Sequence, residues 1–515
     1  MAEKVEEEEK AKFDKSRLSS AKRVLAFMKP YRWRYFLGLF FLLITSVVFL
    51  VFAQLTGLLV DSTDIVSGGA PEILPTMPGV DTAGIRDAVF GDLNLSTLDI
   101  ALILGAILII QSVFSYFRIY LFAWVTEHTL ADLRLATYRT LVRLPMEYFN
   151  NKPVGEINSR MSGDVTQIQE TLTTTTAEFI RQSIIAVGGI GMLFFTQMKL
   201  TVVMLAVVPI VALVAVKFGR YIRTLSKEVQ DNVATATNVV NESLTGIANV
   251  KAFTNEMYEY LRFEHAIENL RKVGIKTGMW RAIFAAFIVL FVFGAIVGII
   301  IYATILVQTD PNFTPGDFFK FVMLAIVIGV SFGGLSELYS SILKALGAIE
   351  RVFEIIDEDT EPINLNVSAP ETEVEGHIVF KNVNFTYPSR PDMQVLKNLS
   401  FSMEAGQQVA IVGPSGAGKS TITAMVMRFY SPESGSISID DKNIEDLQLT
   451  ELRQHMAIVP QEVLLFGGTL AENIAYGKPE ASLEEIKAAA KKANALDFIE
   501  GFPEGFETMA GERGV

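Results

Sequence analysis

Gln408-Val409-Ala410-Ile411-Val412-Gly413-Pro414-Ser415-Gly416-Ala417-Gly418-Lys419-Ser420 decides how the C-terminal part of this chain folds. Gly413, Gly418, Lys419 and Ser420 stand at the spacing of a phosphate-binding loop. The apolar run Gln408–Val412 predicts a strand directly before the loop, and Ser420–Phe429 predicts a helix directly after it. That order has a physical basis. Glycines let successive backbone N–H groups turn toward phosphate oxygens, and a helix N-terminus adds partial positive charge. Lys419 is expected to reach the β- and γ-phosphates of a nucleotide, and the Ser420 hydroxyl to ligate Mg²⁺.

Around the loop, His377–Phe380, Ser400–Met403 and Ser436–Ile439 read as short β runs with helices between and after them. Such alternation predicts an α/β nucleotide-binding domain over residues 376–515. Residues 351–375 are expected to form a linker, polar from Glu361-Pro362 through Ala369-Pro370 and entered by a helical pattern over Leu346–Asp359.

Farther upstream the composition changes. Half of the 515 residues are hydrophobic and 20% are charged, against roughly a quarter charged in ordinary soluble chains. The apolar excess is concentrated in stretches without any charge: Phe36–Val60, Ile100–Phe117, Gln182–Met198, Leu200–Val216, Ala282–Thr309 and Phe321–Ser336. Extended through flanking apolar turns, they predict six membrane spans at about 31–60, 97–125, 178–198, 199–224, 278–308 and 315–344, within a domain of residues 19–350. Lys and Arg give the orientation. Residues 1–35 hold ten, 118–181 seven and 217–281 ten, whereas the 61–98 loop holds only Arg86. Both termini are therefore expected on the cytoplasmic side. Residues 1–18 read as a disordered charged leader, and Ser19–Lys29 as an amphipathic helix with Val24, Leu25, Phe27 and Met28 entering the membrane interface.

The long inside loops, 126–178 and 222–280, are polar and compatible with helix. Two arms of about 25 residues reach about 35–40 Å below the membrane at 1.5 Å per residue. Their tips, near 144–155 and 250–262, carry Tyr148, Phe149 and Phe253. Aromatic side chains at a loop tip call for a partner surface.

Other classes of function are excluded or disfavoured. A net charge of −13, with 12 basic and 18 acidic residues in 376–515, argues against a nucleic-acid partner. The absence of cysteine excludes disulfides, thiolate metal sites and a cysteine peptidase. His128, His265, His377 and His455 lie far apart and suggest no metal site.

Six spans, two stalks, Phe385-Thr386-Tyr387-Pro388, Val395–Phe401 and the phosphate loop follow one another in an order that resembles the ABC exporter family. The resemblance covers roughly residues 18–515. It implies a multidomain protein: an all-α six-helix transmembrane domain with long cytoplasmic stalk helices, then an incomplete α/β P-loop NTPase domain. It implies ATP and Mg²⁺ as cofactors, with Tyr387 on the adenine, Gly413, Pro414, Ser415, Gly416, Ala417, Gly418, Lys419, Ser420 and Thr421 around the phosphates, and Gln461 beside Ser420 at Mg²⁺. Gly511-Glu512-Arg513-Gly514 is similar to the family segment that touches a stalk tip, which gives Glu512 a coupling role with Tyr148, Phe149 and Phe253.

The family's Leu-Ser-Gly-Gly-Gln signature, second nucleotide motif and switch histidine do not occur within these residues. An ABC-type ATPase is thus expected of the intact protein, and no catalytic residue and negligible hydrolysis of a polypeptide limited to these 515 residues. One six-span unit with one nucleotide domain implies a second half-transporter, identical or different. The expected activity is export of a lipid or amphipathic hydrophobic compound by alternating access. An ATP-gated channel or channel regulator, or a broad peptide or drug exporter, shares this layout. Arg118, Arg181, Arg281 and Glu337 fall near the cytoplasmic ends of four spans, where they could attract a phosphate-bearing headgroup or simply snorkel. The expected location is the plasma (inner) membrane.

Overall fold

The computed structural model describes residues 15–63, 97–311, 313–364, 374–461 and 464–511. The chain divides into two units, one of Met1–Leu141 with Gly155–Asp357 and the other of Val142–Val154 with Glu358–Val515.

The first unit is helical. Helix α1 (Lys15–Met28) precedes α2 (Arg32–Thr63) and α3 (Thr97–Leu141). After the short α4 (Met146–Asn151) of the second unit, α5 runs over Val154–Thr196. Then come α6 (Met198–Thr245), α7 (Ile247–Ala252), α8 (Glu256–Thr309) and α9 (Pro315–Ile356). Among the described residues, five helical segments are long and apolar enough to cross a membrane, namely Lys22–Asp61, α3, α5, α8 and α9. Helix α6 carries the further charge-free stretch Leu200–Val216. At 45, 48, 54 and 42 residues, α3, α6, α8 and α9 are about 65–80 Å long, roughly twice the hydrocarbon thickness they would cross.

The apolar core of the bundle joins α2, α5, α6, α8 and α9 through Leu50, Ile185, Leu193, Leu200, Ala303, Phe321 and Leu324. Small residues permit the closest approaches. A Cβ on Gly57 would stand 2.8 Å from the Gly316 carbonyl oxygen, so α2 and α9 meet backbone to backbone there. Helices α6 and α8 form an antiparallel hairpin in which Phe218 stacks on Phe284 and Phe287, and Tyr221 meets Trp280 edge-on.

Helix α5 contains two π-helical turns, Arg160–Asp164 and Thr171–Thr175. The first is tied to α9 by Arg160 with Glu354 at 2.9 Å and by Arg351 with Asp164 at 2.6 Å. Helix α1 departs from the sequence-based expectation. It opens at Lys15, inside the stretch assigned to the leader, and Val24 and Met28 are buried in protein rather than in the membrane interface. Val24 packs with Leu130, Leu346 and Phe353, while Arg23 covers the Phe353 ring and pairs with Asp357. Helix α9 continues to Ile356, so the first six residues assigned to the linker are helical. The expected 61–98 loop lies outside the described residues from 64 to 96.

The second unit holds a four-stranded sheet in the order β2 (Gln394–Met403), β1 (Ile378–Thr386), β3 (Ser434–Ile439), β4 (Lys442–Asn443), antiparallel throughout. Its core is Phe380, Val383, Phe385, Leu396, Ile422, Met425, Ile437 and Ile439. Phe380 stacks on Phe401 at 4.6 Å, and truncating it to alanine would cost about 3–5 kcal/mol. The remaining helices are α10 (Lys419–Val426), α11 (Leu449–Gln454), α12 (Leu470–Ala475), α13 (Leu483–Lys492) and α14 (Leu496–Glu500), and Gly468–Thr469 pairs with Met509–Ala510.

Two expectations are corrected. Gln408–Val412 is not a strand, because a strand exists through its ladder and no described segment pairs with it. Its apolar side chains stay exposed, Val412 at 87%. The helix after the loop ends at Val426 rather than Phe429, because Arg428 takes a positive φ of 51° and turns the chain.

Candidate functional site

The loop Gly413–Ser420 leads into α10, whose first helical residue is Lys419. Gly416 and Gly418 have φ of 81° and 88°, a region that costs other L-residues about 1–2 kcal/mol. Gly418 is doubly constrained, since a Cβ would lie 2.9 Å from Leu396 Cδ2 and 3.0 Å from Val395 Cγ1. These two inversions wrap the backbone into the concave turn from which α10 starts. Lys419 Nζ folds back to donate to the carbonyls of Gly413 at 2.9 Å and Pro414 at 2.8 Å. Ser420 is exposed in the first turn of α10, and Gln461 is exposed at a bend after residues 456–460.

These residues fit a phosphate chain with its cation. An ammonium held only by loop carbonyls can exchange them for phosphate oxygens, which are stronger acceptors. The adjacent helix N-terminus favours the same charge.

Thr421, 4% exposed, faces the other way. Its hydroxyl shares a hydrogen bond of 2.9 Å with the Tyr387 hydroxyl. The Tyr387 ring meets Phe385 edge-on at 4.9 Å and Tyr430 at 5.2 Å. Tyr430 in turn accepts a hydrogen bond from the side-chain amide of Asn150, on α4. Burial pushes the Tyr430 phenol above its ordinary pKa, with Asn150 opposing, so it stays a neutral hydroxyl in neutral solution. The turn that carries Tyr430 is clamped by Arg453, which donates to the carbonyls of Met427 and Arg428 and pairs with both oxygens of Glu361 at 2.8 Å.

Of the coupling candidates, Tyr148 is buried on α4 with Lys152 Nζ 4.4 Å from its ring centre, and Phe149 is half-buried beside it. Phe253 is 72% exposed just past α7. Glu512 lies outside the described residues. Sequence reasoning missed Asn150 and Tyr430, and nothing in their spacing links them across 280 positions.

Two of the four substrate candidates share one carboxylate. Arg118 on α3 and Arg181 on α5 converge on Glu178, at 3.2 and 2.6 Å. Arg281 is exposed and donates to Ser226 at 3.0 Å, and Glu337 is exposed on α9. Sequence reasoning overlooked Glu178, though its i, i+3 spacing to Arg181 on a helix was the available signal.

A phosphate-binding loop opening a helix, in one chain with a bundle of membrane-length helices, defines a membrane-bound P-loop nucleotide-binding protein. Residues 35–332 match the family described as ABC transporter transmembrane region, and residues 396–511 match ABC transporter. The chain belongs to the ABC transporter family. It is 35% identical over 409 residues to "ATP-binding cassette sub-family B member 10, mitochondrial" of Mus musculus, covering 77% of this chain and 56% of that one. It is 34% identical to "ABC multidrug transporter mdr2" of Aspergillus fumigatus, covering 88% and 57%, and 33% identical to "ATP-dependent lipid A-core flippase" of Thiobacillus denitrificans, covering 81% and 71%. The chain thus spans little more than half the length of the first two relatives.

Proposed function

We propose that this chain is half of an exporter in which ATP moves a lipid or amphipathic hydrophobic compound across the plasma (inner) membrane, or between its leaflets, by alternating access. The observation that carries the reading is the glycine-turned loop with Lys419 at the start of α10, in the same chain as the helices of the bundle. Hydrolysis of Mg–ATP by the intact protein would supply the free energy of the cycle. Lys419 holds the phosphates, the backbone of Gly413–Gly418 lines them, Ser420 and Gln461 hold Mg²⁺, and Tyr387 takes the adenine.

A second copy or a paired half-transporter completes the machine. The α6–α8 hairpin supports this, because it packs chiefly on itself and the apolar stretch of α8 is only 6% buried. Exposed Phe253 at the tip of that hairpin suits a surface on the partner. Both termini lie in the cytoplasm on this reading. A polypeptide limited to residues 1–515, which contains no Leu-Ser-Gly-Gly-Gln sequence, binds ATP without appreciable turnover.

For substrate, the pair Arg118 and Arg181 shares one carboxylate, Glu178, and retains one surplus positive charge. Arg118 Nε is buried without a hydrogen-bond partner among the described residues. A phosphate-bearing headgroup would satisfy both, and a relative named as a lipid A-core flippase agrees with it. The test uses the full-length gene product in vesicles with a fluorescent anionic phospholipid. ATP-dependent movement between leaflets that is lost in Lys419→Ala and much reduced in Arg118→Ala/Arg181→Ala supports the proposal. Movement indifferent to ATP refutes export, and movement indifferent to both arginines refutes the headgroup assignment.

A further inference from the structure

We infer that Tyr430 is a positioning residue that transmits nucleotide occupancy from the phosphate loop to α4. The inference rests on the nucleotide reading above and adds the route by which binding reaches the segment between α3 and α5.

The route is a chain of direct contacts inside one unit. Thr421 follows Ser420 in the first turn of α10, so any resetting of that turn moves its hydroxyl. The hydroxyl is bound to Tyr387 at 2.9 Å. The Tyr387 ring stands against Tyr430 at 87°, an edge-to-face arrangement whose energy depends on ring orientation. The Tyr430 hydroxyl holds the Asn150 amide, on a helix of only six residues. Both ends have freedom to respond. A cavity of about 510 Å³ borders Pro145, Tyr387 and Tyr430, which leaves the Tyr387 ring room to turn against its neighbour. Helix α4 has no side-chain cap at its N-terminus, where Pro145 stands, and is held partly by this hydrogen bond.

The middle of the chain, by contrast, is rigid. Arg453 fixes the 427–430 turn through two backbone carbonyls and Glu361, and Arg428 donates to the carbonyls of Ile444 and Leu447. A stiff turn between two adjustable ends passes displacement instead of absorbing it. When phosphates draw Lys419 away from Gly413 and Pro414, the first turn of α10 resets, Tyr387 leaves or tilts against Thr421, and the Tyr430 edge contact changes with it.

The experiment is hydrogen exchange on the full-length protein in lipid nanodiscs, with and without Mg²⁺ and a non-hydrolysable ATP analogue, for wild type, Tyr430→Phe and Asn150→Ala. In wild type the nucleotide should slow exchange in 413–426 and alter it in 146–151. Each variant keeps the first effect and reduces the second about fivefold, the size of one net hydrogen bond. Loss of the bond itself should speed exchange of 146–151 without nucleotide by up to about fivefold, so the effect is read as the ratio of rates with and without nucleotide in the same variant, which separates transmission from a local packing loss. An undiminished nucleotide effect at 146–151 in both variants overturns the relay alone. Absence of any nucleotide effect at 413–426 in wild type overturns the nucleotide reading and the relay with it.

Discussion

The Tyr387 hydroxyl and the Thr421 hydroxyl lie 2.9 Å apart, joining the segment after β1 to the helix that begins at the phosphate loop. The pair joins the aromatic proposed for the base to the helix proposed for the phosphates. Thr421 is 4% exposed, so its partner cannot be replaced by water.

Thr421→Val keeps the shape and removes the hydroxyl. It should destabilise the nucleotide-binding unit by about 0.5–1.5 kcal/mol, because the half-buried Tyr387 hydroxyl loses its partner. Thermal unfolding of the purified protein, compared with Tyr387→Phe and the double variant, checks this. The double variant should cost less than the sum of the two single ones.

Gly418→Ala places a methyl group 2.9 Å from Leu396 Cδ2 at a φ of 88°. Strain of about 1–2 kcal/mol from the backbone alone, plus displacement of β2 side chains, should weaken nucleotide binding at least about tenfold. Fluorescent ATP titration measures it, and wild-type affinity would show that the loop does not need its present shape.

Glu485 caps α13 through Ser482 and pairs with Lys478 at 2.6 Å. The Lys478 hydrogen bond, with those from Ser482, lowers its pKa from 4.5 to about 2. A depressed carboxylate adds stability that is complete above its unfolded value and disappears as pH falls through the folded one. Glu485→Gln should therefore lower the unfolding temperature at pH 7, and the gap to wild type should close between pH 4.5 and about 2.

Arg281 is exposed and bonded to Ser226, whereas Arg118 and Arg181 are bonded to Glu178. Arg281→Ala should leave stimulation of the full-length ATPase by anionic phospholipid within about twofold of wild type, whereas Glu178→Gln, which frees two guanidinium groups, should increase it. An equal loss in Arg281→Ala and Arg118→Ala would contradict the assignment.

Much of the architecture could be read from residue order. Charge-free stretches separated by polar arms declare a helical bundle, because a lipid-facing backbone must satisfy its own hydrogen bonds. The loop shape is likewise local, since glycines at 416 and 418 accept a positive φ that their neighbours would resist. What could not be read is tertiary. Gln408–Val412 has a strand's composition, but a ladder needs a neighbour that its own residues do not supply. Val24 looks like a lipid-facing residue until Leu130 and Phe353 are brought against it. The Arg118–Glu178 pair and the Tyr430–Asn150 bond join elements far apart in the chain, and no spacing rule reaches them.

The central claim is that Gly413–Thr421 holds ATP. Equilibrium binding of Mg–ATP to the full-length protein in nanodiscs, wild type against Lys419→Ala, tests it most directly. Lys419 supplies charged hydrogen bonds worth about 1.5–3 kcal/mol each, so the account predicts saturable binding that weakens at least about tenfold in the variant. Equal affinity in the two proteins would contradict it.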